Sequence, residues 1–318
     1  EQSNVTSFGA TIVAIITLEA FAGMWINAFL VSVICFTWFK TKTLNLNEKI
    51  LLLLGCSRFC YLCISWLYSF LSVIYPKYIC VQPIFPLVLS IQTLLNDSSL
   101  WVSASLCVFY CIKIANFRNS FFIYLKVNIN RIVPWLLLGI VPWLLLGLVL
   151  LSMVISILAY NYIDKALCKN FNDTCQECIW KASIRTEGHS NPIHFINGFV
   201  FVASFMAVIF SALLLLFSLW RHRRNMQTNS MNDLSVDAHI RAMKSILSFL
   251  LMYSINFILL ILALTYGIMT PNHVKFPVYV FLYAFPGVHS LILIFSNPKL
   301  EKNMLRILTC MKCKDCMR

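Results

Sequence analysis

Acidic side chains are scarce in this chain of 318 residues: 12 Asp and Glu stand against 25 Lys and Arg, and charged residues make up only 12% of the total. Just two acids, Glu19 and Asp97, fall inside apolar stretches. A transporter that coordinates ions at its midplane needs several such acids and an internal repeat between its halves, and this chain has neither. Glycine is sparse too, at 9 residues. There is no Gly-rich phosphate loop, no HExxH and no Ser, His and acid grouping on one side of the apolar runs, so the sequence gives no catalytic constellation and calls for no cofactor. No linker rich in Gly, Ser or charge divides the chain, which reads as one domain over 1–318.

What is abundant is apolar surface. The chain is 60% hydrophobic with a mean hydropathy of +0.80, outside the range of ordinary soluble domains. A helix needs about 20 apolar residues to cross a bilayer core about 30 Å thick. Seven stretches qualify, near 10–38, 50–75, 83–112, 132–160, 194–219, 242–268 and 276–296, leaving a tail at 297–318. The expected fold is an all-α seven-helix membrane bundle. The first stretch is too long for a signal-peptide core and runs on into a basic loop.

Charge sets the orientation. The loops after spans one, three and five carry Lys40, Lys42 and Lys49, then Lys113, Arg118, Lys126 and Arg131, then Arg221, Arg223, Arg224, Arg241 and Lys244, and the tail is basic as well. The opposite loops hold only Lys77, Lys165, Lys169, Lys181, Arg185 and Lys275. The tail is therefore inside and the N-terminus outside. On the outer side Asn4 and Asn172 sit in glycosylation sequons, whereas the sequon at Asn96 is buried in span three. The basic charge fits membrane topology and anionic lipid better than nucleic acid.

Thirteen cysteines would suggest a disulfide framework in a soluble secreted chain, but Cys35, Cys56, Cys60, Cys63, Cys107 and Cys111 lie in apolar runs and read as small hydrophobes. Cys80, Cys168, Cys175 and Cys178 face the oxidising side, where at least one bridge is expected, with Cys80 a candidate partner. In the tail Cys310, Cys313 and Cys316 offer three thiols and no His, too few for structural zinc, so no metal site is expected. Thiols among basic residues beside a membrane suggest palmitoylation. Span four repeats IVPWLLLG at 132–139 and 140–147. Eight residues turn a helix by about 800°, so the copies face directions about 80° apart and the duplication lengthens the helix by about 12 Å.

Polar residues within the apolar runs mark candidate sites: Glu19, Asn27, Arg58, Asn96, Asp97, Asn256, His289 and Asn297. Arg58 needs an acceptor, for which Glu19, Asn27 and the backbone around Pro286 are candidates, and Arg58 with Asn27 reads first as a packing cluster. Gln92 and Asn96 share a helical face toward the outside. An outward-opening pocket would combine that face with aromatic residues such as Tyr253, Phe276, Tyr279 and Tyr283. Span three leaves the membrane at Tyr110 and Lys113.

The runs FYCIKIANF at 109–117, LLLLFSLWRHRRNM at 213–226, AHIRAMKSILSFLLMY at 238–253 and PGVHSLILIFSNPKL at 286–300 resemble the bitter taste receptors, the type 2 taste receptors among G-protein-coupled receptors. Gly23-Met-Trp-Ile-Asn27 and Ser57-Arg58 resemble them as well. The Asp-Arg-Tyr and Asn-Pro-x-x-Tyr motifs of rhodopsin-like receptors are missing. The resemblance implies a multi-pass plasma-membrane receptor, not an enzyme, that takes small bitter ligands from outside and activates a heterotrimeric G protein of the gustducin (Gi) type. It leaves both homo- and hetero-oligomers open.

Carried over to this chain, the resemblance places Tyr110 and Lys113, Leu215, Ser218, Leu219 and His222, and His239 and Lys244 at the inner ends of spans three, five and six, for G-protein coupling. Tyr253 matches an aromatic switch position, Asn96 a pocket asparagine, and His289 with Ser290 a His-Ser step that joins Asn27, Arg58 and Pro286 in packing and activation. The full candidate ligand set is Gln92, Asn96, Ser99, Asn197, Phe201, Tyr253, Asn256, Tyr279 and Tyr283. Two positions depart from the pattern: Gln92 replaces a common Trp, and Ser204 a common Pro. A receptor of the same fold that senses a steroid or a microbial metabolite is the nearest alternative, and a small-molecule transporter a more distant one.

Overall fold

The computed structural model describes residues 5–74, 84–115, 120–135, 192–227, 246–259 and 272–315, with Gly147, Val154, Ile261 and Leu262. Helix is the only regular structure among them: α1 (Val5–Thr41), α2 (Leu46–Ile74), α3 (Ile84–Ile114), α4 (Ser120–Trp135), α5 (Pro192–Gln227), α6 (Ile246–Leu259), α7 (Asn272–Ser296) and α8 (Pro298–Asp315). Four of the described helices are long and apolar enough to cross a membrane, within Val13–Thr41, Leu46–Leu71, Leu94–Ile114 and Phe201–Arg221. Segments Val280–Ser296 and Pro298–Arg306 form a further apolar pair, bent by 104°. Most of the span-four stretch, including residues 136–146 of the duplicated octapeptide, lies outside the described residues.

The four spanning helices are apolar all round, as lipid solvent demands. Leu18, Phe36, Phe39, Phe210 and Val127 point outward and are more than half exposed. The faces that turn inward form contiguous packing. Leu30 and Ile34 of α1, Leu51 and Leu54 of α2, Leu106 and Phe109 of α3, Ile129 of α4, and Ile294 of α7 share one cluster with Leu300 of α8. A second joins Leu100 and Ala104 of α3, Val208 and Ala212 of α5, Phe249 and Tyr253 of α6, and Phe285 of α7. Helix α1 meets α7 closely at Gly23 and Gly287, where a methyl added to Gly287 would lie 3.1 Å from the Gly23 Cα. Serines that would be stranded in apolar helices bond back to their own turn: Ser204 Oγ donates to the Phe201 carbonyl at 2.9 Å and Ser211 Oγ to that of Ala207 at 2.6 Å.

The inner end is built by helix caps. Helix α1 stops at Lys42, whose backbone is left-handed (φ 58°) and whose N–H bonds the Trp38 carbonyl at 2.7 Å. Helix α2 then starts at Asn45, whose N–H donates to the Glu48 carboxylate at 3.0 Å, the reciprocal half of a capping box. The other Glu48 oxygen receives Lys299 Nζ of α8 at 3.0 Å. Helix α8 has its own cap: Asn297 Oδ1 accepts the Lys299 N–H at 3.1 Å, and Pro298 fills the first helical position, where no N–H is needed. The sharp turn after α7 is therefore written in Asn297-Pro298, and Glu48 fastens the turned helix to the start of α2.

Candidate functional site

The polar centre of the bundle is Arg58, which is fully buried. Its guanidinium is spread over two neighbouring helices: Nε donates to Ser99 Oγ at 3.3 Å, Nη2 to Ser103 Oγ at 2.9 Å, both on α3, and Nη1 to Ser290 Oγ on α7 at 2.8 Å. Nη2 also donates to His289 Nδ1. Ser290 passes the chain on to Asn27 Oδ1 of α1 at 2.8 Å, and Asn27 Nδ2 donates to the Gly23 carbonyl at 2.7 Å. One planar fork thus locks α1, α2, α3 and α7 together.

The acceptors differ from those the sequence suggested. Asn27 belongs to the network, but one step removed, through Ser290. Glu19 is not among the partners: it stands eight residues before Asn27, about 12 Å along α1. Pro286 is buried one turn before Ser290, but Arg58 bonds side chains of α7 rather than its backbone.

Between this junction and α5 lies an aromatic cluster. The Tyr253 hydroxyl donates to the Leu100 carbonyl at 3.0 Å, and its ring meets Phe249 at 5.7 Å, Phe285 at 5.9 Å and His289 at 6.3 Å. Phe257 stacks on Phe205 at 3.7 Å and on Phe201 at 5.1 Å. The structure therefore brings Phe201 and Tyr253 of the candidate ligand set into one wall. Asn256 is buried on the same helix, and Gln92 and Asn96 are half-buried on α3. Ser99 and Tyr283 turn toward α2 instead: Ser99 accepts from Arg58, and the Tyr283 hydroxyl donates to the Ser65 carbonyl at 2.8 Å and lies 2.6 Å from Ser69 Oγ. Asn197 lies on α5, and Phe276 and Tyr279 on α7, with side chains outside the described set. Sequence reading missed Phe205, Phe249, Phe257 and Phe285, although Phe249, Tyr253 and Phe257 recur at helical spacing, the signal that would have found them.

At the inner end Leu215 and Leu219 of α5 are buried against Cys111 and Ala115 of α3, with Tyr110 and Ile246 of α6 packed on them. The Tyr110 hydroxyl donates to Asn47 Oδ1 at 2.9 Å, a partner the sequence did not reveal. Lys113 Nζ stands 5.3 Å from the centre of the Phe109 ring. Ser218 is half-buried on α5, and His222 is on the same helix with its side chain outside the described set; His239 and Lys244 are outside it altogether. Asn4, Asn172, Cys80, Cys168, Cys175, Cys178 and Cys316 also fall outside the described residues, and Cys310 and Cys313 lie on α8 without described side chains. The six cysteines of the described apolar helices are free thiols.

The chain that builds this geometry has relatives among known proteins. It matches the family described as Taste receptor protein (TAS2R) along residues 5–312. Taste receptor type 2 member 7 of Macaca mulatta is 32% identical over 304 residues, covering 91% of this chain and 90% of the relative. Taste receptor type 2 member 9 of Homo sapiens is 31% identical over 307 residues, covering 96% and 95%. Taste receptor type 2 member 41 of Rattus norvegicus is 30% identical over 305 residues, covering 93% and 94%.

Proposed function

This chain belongs to the taste receptor family TAS2R, and from that premise we propose that it binds small bitter-tasting compounds from outside the cell and activates a gustducin-type heterotrimeric G protein inside. As a family member it is a seven-helix, multi-pass receptor of the plasma membrane and not an enzyme. The whole of 1–318 acts as one membrane domain.

The observation that carries the mechanism is the closed inner end. Tyr110, Cys111 and Ala115 of α3, Leu215 and Leu219 of α5, and Ile246 of α6 are packed against one another, while Tyr253 ties α6 to α3 nearer the middle. A ligand shifts this arrangement only as far as it prefers another. In our reading a compound that contacts Gln92, Asn96, Tyr253 and Tyr279 loosens the Tyr253 tie and lets the inner end of α6 swing outward. The cleft that opens is lined by Tyr110, Lys113, His222, His239 and Lys244, whose cationic rim attracts an acidic partner surface and anionic lipid. A calcium-release assay in cells that carry a gustducin-type chimeric G protein, screened with a panel of bitter compounds, tests this. Responses are expected to at least one member of the panel and to be lost in the Lys113→Ala/His222→Ala double variant. Silence to the bitter panel with responses to steroids or microbial metabolites would assign a different ligand class to the same fold.

A further inference from the structure

We infer that the Arg58 junction binds a monovalent anion, chloride, as the counter-charge of the buried guanidinium. Arg58 is fully buried, and every acceptor it bonds is neutral: the hydroxyls of Ser99, Ser103 and Ser290 and Nδ1 of His289. These bonds satisfy hydrogens but leave the unit charge. Holding a bare guanidinium in a lipid-embedded interior is costly unless an opposite charge accompanies it.

Among the described residues no acid stands in that place. Asp97 lies on α3 two positions before Ser99, about 200° away around the helix, and is not among the partners of Arg58. Glu19 is about 12 Å from Asn27 along α1, and Asn27 itself reaches Arg58 only through Ser290. Glu48 begins α2, about 15 Å before Arg58, and is held by Lys299 and the Asn45 N–H. The remaining described acids, Glu301 and Asp315, lie on α8.

The junction also has more donors than acceptors. A guanidinium carries five N–H groups, and Arg58 makes one bond to each of its four acceptors among the described residues. Because Arg58 donates to His289 Nδ1, the imidazole proton sits on Nε2, which is buried with no partner among the described residues. Ser103 and Ser290 already spend their protons on the Ser99 carbonyl and on Asn27 Oδ1. A halide is a spherical acceptor that carries the missing charge and draws on several donors at once. Water would relieve the surplus of donors but not the charge.

The test uses the full-length receptor purified into nanodiscs of zwitterionic lipid, with thermal unfolding followed as chloride replaces gluconate at constant ionic strength. The expected result is a saturable rise of the midpoint by about 5 °C, reproduced by bromide, kept in Lys299→Gln and absent in Arg58→Met. Because Arg58→Met risks misfolding, chloride-35 line broadening on the unmodified receptor, reversed by bromide and weakened at least threefold in Ser290→Ala, provides a second reading. Equal midpoints in chloride and gluconate, or a chloride dependence that survives in Arg58→Met, would overturn the inference.

Discussion

The Tyr253 hydroxyl on α6 donates a 3.0 Å hydrogen bond to the main-chain carbonyl of Leu100 on α3. Tyr253 is fully buried among Phe249, Phe285 and His289, so removing the hydroxyl leaves the ring packed and deletes the tie. A neutral hydrogen bond contributes about 1 kcal/mol, a factor of about five in a two-state equilibrium. Tyr253→Phe is therefore expected to raise ligand-independent nucleotide exchange about fivefold, measured by GTP-analogue binding to a purified G protein. Unchanged or lower basal exchange would mean that the tie does not restrain α6.

Ser290 both accepts from Arg58 and donates to Asn27, so Ser290→Ala breaks the link between α2, α7 and α1 at once. The expected loss is about 2 kcal/mol, seen as a fall of about 4 °C in the unfolding midpoint. Ser290→Thr, which keeps the hydroxyl, should lose less than half of that. Equal losses in the two variants would point to volume and not to the hydrogen bonds.

Tyr110 and Asn47 form a pair whose hydroxyl and amide meet at 2.9 Å across α3 and the start of α2. In our reading this pair holds the inner end of α3 in its resting position. Tyr110→Phe and Asn47→Ala should each change ligand-driven exchange in the same direction, and the double variant should add less than about 0.5 kcal/mol beyond either single one. Full additivity in the double-mutant cycle would show that the two act separately.

At the crossing of α1 and α7, a methyl on Gly287 meets Gly23 backbone at 3.1 Å, whereas a methyl on Gly23 meets chiefly the movable Cδ1 of Leu62 at 2.8 Å. Backbone cannot yield as a side-chain terminus can, so Gly287→Ala is expected to lower stability by about 1–3 kcal/mol and Gly23→Ala by less. Surface expression together with unfolding midpoints checks the order, and the reverse order would contradict this packing.

The length of the apolar runs made the helices legible in the sequence, and Asn27 was legible as one of three candidate partners of Arg58 because a charge in lipid must be satisfied, though it joins the network through Ser290. Which hydroxyls satisfy Arg58 was not. Serine is common in these helices, and whether Ser99, Ser103 and Ser290 face α2 depends on helix rotations that only the packed bundle sets. The same holds for Tyr283. Its position invites a pocket role, yet its hydroxyl is engaged by Ser65 and Ser69. Asn47 was hidden for another reason: it stands in a short loop-to-helix step where nothing local points to Tyr110, 63 residues away.

In our reading a small molecule bound near the outer half of the bundle opens its inner end to a G protein. The most direct measurement of this is ligand-dependent GTP-analogue loading of gustducin-type α subunit by the purified receptor in nanodiscs, using a bitter compound that scores in the cell assay. Saturable acceleration is expected, lost when Lys113 and His222 are both replaced by Ala while ligand binding is kept. Binding of the compound without any acceleration of loading by the unmodified receptor would contradict this reading.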